Sequence, residues 1–288
     1  MVAHLLYSLF ASRFSAHSCQ QITAMPIPSY SLALDELRIS LSHFADIDSE
    51  NPTTTSPAVS KTAPARKTMG APSLEDRLSI LEKKHHSCPE GYEVDDSMRR
   101  ARQDVEAKAL YSAVWKWVPS PYYGWKLDER AQFLTGDKKN TQYLCKSLVM
   151  ENKKWKQDDP DQNPRFVLVI VQYAATLNNK KLGNAIRTMR KNVLERIEES
   201  RFSFQIAASE DNDRLTGYKH NSVTPFGLLS SELVVVLSKE LVDLKWFWMG
   251  GGHVDLKLKV ATSEFIEKVK PIVADISDPR DGSADIED

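Results

Sequence analysis

The chain has 288 residues, 41% of them apolar and 27% charged, enough to bury a sizeable core. No stretch approaches the ~20 apolar residues of a membrane helix, so no membrane partner is expected. Three widely spaced cysteines, Cys19, Cys88 and Cys145, argue against a disulfide framework or a zinc site and for free thiols in a reducing compartment. The net charge of -1 hides an asymmetry: Met98 to Pro271 holds 29 Lys+Arg against 21 Asp+Glu, whereas both ends are acidic. A basic centre suits a polyanionic partner.

Residues 1–34 contain no acid, one arginine (Arg13) and several serines. That composition is compatible with an organellar leader, weakly so because of the single arginine, or with a disordered extension. Ser31 to Phe44 has a helical apolar rhythm, and the Thr/Ser/Pro/Ala-rich stretch Asn51 to Pro72 reads as a linker. Ser73 with Asp76 three residues on is a helix start, and Leu74, Leu78 and Leu81 form a narrow stripe suited to a partner contact or a packed arm. Asp96 to about Trp117 reads as one helix. Tyr122, Tyr123 and Trp125 then crowd a proline-containing turn, where packing is favoured over base stacking. Leu127 to Leu134 is a short helix that Gly136 ends.

Tyr143 to Met150 is the first strand, with Lys146 as the one charge on an otherwise apolar face. A lysine there lies at an edge, pairs, or opens into a cleft. Arg165 to Tyr173 is continuously apolar, as in a strand covered on both faces. Asn179 to Ser200 reads as a long helix with Leu182, Ile186, Met189, Val193, Leu194 and Ile197 inward. Phe202 to Ala207 is a strand, and a helical turn from Glu210 leads into Leu215–Leu228. This stretch is rich in turn-formers and hydrogen-bonding groups and lies between apolar segments, a common place for a binding or catalytic site. Leu233–Leu237 reads as a buried strand, Leu244–Met249 is apolar and leads into the glycines, and Val254–Val260 alternates cleanly, with Leu256 and Leu258 inward and Asp255, Lys257 and Lys259 outward. Gly250-Gly251-Gly252 requires the close approach of a ligand or a tight corner. Thr262 starts a last helix, and the tail from Ile276 reads as acidic and disordered.

Thr216-Gly217-Tyr218, a spacer, then Thr224-Pro225-Phe226-Gly227 resembles the substrate loop of the YbaK/ProX family of aminoacyl-tRNA deacylases, also associated with prolyl-tRNA synthetases. Leu144-Cys145-Lys146-Ser147-Leu148-Val149 and Gly250-Gly251-Gly252-His253-Val254-Asp255 resemble two further family segments in order and spacing. Strands and helices interleave without a βα rhythm, which suggests an α+β fold with one mixed sheet. The resemblance implies a strongly curved, barrel-like mixed sheet surrounded by helices. The expected organisation is an extension over residues 1–97 with one or two short helices, a deacylase-like domain over 98–271 and an acidic tail over 272–288.

The chain lacks a Gly-x-Ser-x-Gly elbow, a P-loop, a dinucleotide fingerprint and a His-Glu-x-x-His motif. No metal and no cofactor are expected. What is left is a site of backbone and a few polar groups. The resemblance implies ester hydrolysis on mischarged tRNA, assisted by the substrate's own ribose hydroxyl and a water, in a reducing compartment such as the cytoplasm. It places expected catalytic residues at Lys146, Thr224 and Pro225. Substrate binding is expected at Gly217, Tyr218, His220, Asn221, Ser222, Gly227, Gly251 and Gly252. An aminoacyl-tRNA synthetase is a second expected partner, and a non-catalytic tRNA- or synthetase-binding module on the same fold is the alternative function. The family's loop motif is Gly-x-x-x-Pro, but four residues before Pro225 stands Asn221. Asparagine tolerates left-handed backbone angles better than most residues, so the loop is expected to keep its shape with a narrower pocket, favouring a small acyl group such as alanyl.

Overall fold

The computed structural model describes residues 73–159, 163–190 and 192–280. The expected leader, the helix over 31–44, the linker over 51–72 and the last eight residues of the acidic tail lie outside the described residues. Two helices open the described chain: α1 (Leu74–His85), which has the expected capping box of Ser73 and Asp76, and α2 (Asp96–Ala107), capped by Asp95. Strand β1 (Val114–Trp117), α3 (Leu127–Thr135), β2 (Cys145–Asn152), β3 (Phe166–Gln172) and β4 (Ala175–Leu177) follow. After α4 (Asn179–Thr188), β5 (Phe204–Ile206) and α5 (Ser209–Thr216) come β6 (Val234–Ser238), β7 (Trp246–Gly250) and β8 (Leu256–Ala261). Helix α6 (Thr262–Val269), β9 (Ile272–Ala274) and β10 (Ser277–Pro279) complete it.

The main sheet is mixed, in the order β5-β2-β3-β6-β9: β2 is antiparallel to β5 and β3, and β6 is parallel to β3 and β9. Strand β3 is central, and Val167 to Val171 are all fully buried, as its unbroken apolar run requires. Burying each such side chain contributes about 1.5–3 kcal/mol. An antiparallel ladder β1-β8-β7 lies beside this sheet, joined to it by a bridge between Leu144 and Trp248, and β10 pairs with β4 in a third, two-stranded ladder. The fold is therefore α+β with one mixed sheet; the described strands form no closed barrel.

Four local expectations are corrected. The helix expected over residues 96–117 ends at Ala107, where Ala109 takes a left-handed φ of 53°, and Val114–Trp117 is a strand paired with β8. The helix expected over 179–200 stops at Thr188. Beyond it the Asn192 side chain accepts from the Leu194 N–H, and the Arg187 and Arg196 side chains donate to the Ile197 and Arg190 carbonyls, offering the backbone partners outside a helix. Leu194, expected inward, is 94% exposed. The tail expected to be disordered is strand as far as Pro279, with Ile276 fully buried. Asp255 and Lys257, expected outward, are buried against polar partners: Asp255 accepts from the Tyr92 hydroxyl, and the Lys257 ammonium donates to the Tyr123 hydroxyl and the Val254 carbonyl.

Helix α1 buries none of its residues and leaves Leu74, Ile80 and Leu81 exposed. A fork of Arg99 on Glu82 ties it to α2. Among the described residues no helix is long and apolar enough to cross a membrane.

Candidate active site

The loop between α5 and β6 is built by its own polar groups and pinned by α2. Met98, Ala101 and Val105 turn one side of α2 into the core, and Arg100 and Asp104 reach the loop. Arg100 donates to the Gly217 carbonyl (2.9 Å) and the Gly227 carbonyl (3.2 Å), and Asp104 accepts the Gly227 N–H at 2.9 Å. Both ends of the loop are thus held by one helix. Gly227 has φ +62°, and a Cβ there would stand 2.6 Å from the Arg100 backbone, so glycine alone fits. Tyr218 is fully buried; its hydroxyl donates to the Phe226 carbonyl at 2.6 Å and its own carbonyl accepts from Asn212 at 2.8 Å. Burial pushes the Tyr218 phenol well above its ordinary pKa, which keeps it a neutral strut.

Beside this loop lies a cleft of about 330 Å³. Its apolar lining comes from Leu134, Leu144, Leu148, Val149, Ala207, Val223 and Met249. Lys146, Lys257, Tyr122, Tyr123 and Tyr173 bring cations and aromatic faces. His220 and Asn221 enter from the loop, and Ser209, Asn212 and Asp213 from α5. The Lys146 ammonium stands 5.6 Å from the centre of the Tyr173 ring. Arg130, 2% exposed, lies 5.2–5.6 Å from the ring centres of Tyr122, Tyr123 and Tyr173. A hydrogen bond from Lys219 holds the Asp213 carboxyl below the ordinary range, so this part of the lining is anionic at neutral pH. Burial pushes the Cys145 thiol well up, which leaves it inert.

Of the residues expected from the sequence, Lys146, His220 and Asn221 come together at the cleft. Asn221 takes φ +63°, a backbone region where glycine is at ease and asparagine is tolerated. The other eight expected residues do not line it. Gly217 and Gly227 fasten the loop to α2, and the Tyr218 hydroxyl ties the loop to itself at the Phe226 carbonyl. The buried Ser222 hydroxyl closes a turn onto the Lys219 carbonyl at 2.6 Å. Thr224 and Pro225 are buried in the loop's interior. Gly251 and Gly252 stitch the end of β7 to β8 and to the loop, their N–H groups donating to Leu256 and Ser222. The glycine run thus answers to close approach by the protein's own backbone: a Cβ at Gly250 would stand 2.3 Å from the Val223 carbonyl oxygen.

The sequence reading missed Lys257, Tyr173, Asn212 and Asp213, and for Tyr122 and Tyr123 it favoured packing over base stacking. Nothing in strand alternation separates a lysine facing solvent from one facing a cleft. The one available signal is the density of tyrosines just before α3, near a basic centre.

Residues 127–268 match the family described as the aminoacyl-tRNA editing domain. This segment belongs to that family. The editing domain takes in α3 to α6, and with them nearly all of the cleft. A crystal structure provisionally described as a trans-editing enzyme for prolyl tRNA synthetase shares the fold: TM-score 0.50 at 19% identity, covering 64% of this chain and 99% of that one. A scaffold protein from computational epitope grafting aligns with TM-score 0.49 at 16% identity, over 65% of this chain and 100% of its own. No curated protein matches the sequence.

Proposed function

We propose that the protein is a trans-acting aminoacyl-tRNA deacylase that hydrolyses the ester of tRNA mischarged with a small amino acid. One observation carries the reading: within an editing domain, Lys146 and the loop residues His220 and Asn221 line one cleft. A cleft of about 330 Å³ is at the small end of ligand pockets, which run from about 300 to 1,000 Å³, and so favours a small acyl group with its ribose. The apolar lining takes the acyl side chain. The tyrosines and cations suit the terminal nucleoside and its phosphate.

In the proposed reaction a water adds to the ester carbonyl, and the tetrahedral oxyanion collapses by expelling the ribose oxygen. That oxygen takes the proton that the attacking water gives up, leaving free amino acid and tRNA. Lys146 opposes the negative charge that develops, and the loop backbone positions the ester. Thr224 and Pro225 act from inside the loop by holding its shape. The tRNA, and a synthetase that mischarges it, are the proposed partners, and the cytosol the proposed site of action.

The test is release of amino acid from a panel of mischarged tRNAs. Wild type is expected to turn over small aminoacyl-tRNAs, and Lys146→Ala to lose about 10²-fold in rate while staying folded. Binding of tRNA without turnover on any member of the panel would overturn the reading in favour of a non-catalytic binding module.

A further inference from the structure

We infer that Lys257 is a positioning residue of this cleft: through the Tyr123 hydroxyl it holds the Asn221 carbonyl and so sets the left-handed bend of the loop. Lysine is almost never buried without partners, and Lys257 is 5% exposed. Its ammonium lies 2.7 Å from the Tyr123 hydroxyl and 2.9 Å from the Val254 carbonyl. The Tyr123 hydroxyl lies 2.7 Å from the Asn221 carbonyl. An ammonium has donors and no lone pair, so the phenol oxygen must accept from Lys257. The single phenolic proton then goes to Asn221. With Lys257 protonated, the direction Lys257 to Tyr123 to Asn221 follows from the chemistry of the groups. A hydroxyl that accepts from a cation becomes a stronger donor in turn.

The Tyr123 step of this relay is held by further contacts. The Tyr123 ring lies against the ammonium, 4.3 Å from centroid to Nζ. Arg130 donates to the Tyr123 and Trp125 carbonyls, so the turn carrying Tyr123 is fixed at its backbone. At the far end Asn221 holds φ +63°, which asparagine tolerates better than other residues with a Cβ but which still gains from a constraint at its carbonyl. The bond from Tyr123 supplies that constraint from outside the loop. The loop's line into the cleft is therefore set by a lysine on β8.

The kinetic consequence rests on the proposed deacylase activity; the structural one does not. Hydrogen exchange on the full chain reads the second. The Ser222 N–H is bonded to the Lys219 carbonyl and the Gly252 N–H to the Ser222 carbonyl, so both report on the bend. Lys257→Met and Tyr123→Phe are each expected to speed exchange at these two amides by about tenfold, with β3 unchanged. The double variant is expected to match the single ones, because the two side chains act in series. If Lys257→Met also loosens β3, Tyr123→Phe decides alone. Unchanged exchange at Ser222 in Tyr123→Phe, or effects that add in the double variant, would overturn the relay. In deacylation, both variants are expected to raise KM and admit bulkier aminoacyl groups, with kcat within about threefold, unlike Lys146→Ala. A fall in kcat with KM and selectivity unchanged would count against a positioning role. Absence of turnover in wild type overturns the deacylase reading and leaves the exchange result to decide this one.

Discussion

Gly250→Ala adds one methyl group where two backbones meet. Gly250 ends β7 opposite Lys257 and lines the cleft. The new Cβ would stand 2.3 Å from the Val223 carbonyl oxygen, 3.2 Å from the Val223 carbonyl carbon and 3.4 Å from that of Ser222. A carbon–oxygen contact needs about 3.3 Å or more, so the strand and the loop must separate by about 1 Å. No side chain can rotate to relieve this, since one partner is a paired strand and the other is the pinned loop. Overpacking of this kind costs about 1–3 kcal/mol. In a folded body of this size that lowers Tm by about 2–12 °C. A shift of about 1 Å in a positioning loop also costs about 10²-fold in rate. Thermal unfolding and single-turnover deacylation read the two effects separately. Gly124→Ala is the control, because a Cβ there meets nothing within 4 Å, and it should change stability by no more than about 0.5 kcal/mol. Unchanged Tm and rate in Gly250→Ala, or an equal loss in Gly124→Ala, would refute the reasoning.

Asn221→Gly is expected to keep the loop, because glycine accepts φ +63° freely, and to open the cleft toward larger aminoacyl groups; kinetics on alanyl- and bulkier aminoacyl-tRNAs check this, and unchanged selectivity would place the Asn221 side chain outside substrate discrimination. His86 is 4% exposed, and burial, reinforced by the Arg102 charge, holds its imidazole down to about 4. The folded pKa lies below the unfolded one, so the contribution of neutral His86 is complete above about pH 6.5 and is lost as the pH falls toward 4. His86→Phe should therefore flatten the loss of stability across that window in denaturant melts; equal slopes for variant and wild type would contradict it. Binding of tRNA should weaken steeply as salt rises, the basic centre releasing counterions from phosphates, and a flat profile in a filter-binding titration would argue for a protein partner instead.

Much of this protein is legible in one dimension. The unbroken apolar run of β3 announces a strand covered on both faces, because no solvent face survives in its pattern. The capping box at Ser73, the helix from Leu127 to Gly136 and the loop between Thr216 and Gly227 are local chemistry and read directly. Lys146 stands out as a charge on an apolar strand face, and the left-handed tolerance of Asn221 follows from its side chain. Helix ends were less legible: the bends at Ala109 and near Asn192 depend on partners that a helical rhythm does not contain. The placement of Asp255 and Lys257 depends on what covers β8. Alternation reports which residues share a face but not whether that face meets water, a neighbouring strand or a cleft. The roles of Gly217 and Gly227 as fastenings to α2 come from Arg100 and Asp104, more than a hundred residues earlier in the chain. Contacts between segments so far apart leave no periodicity, and only the folded chain brings them together.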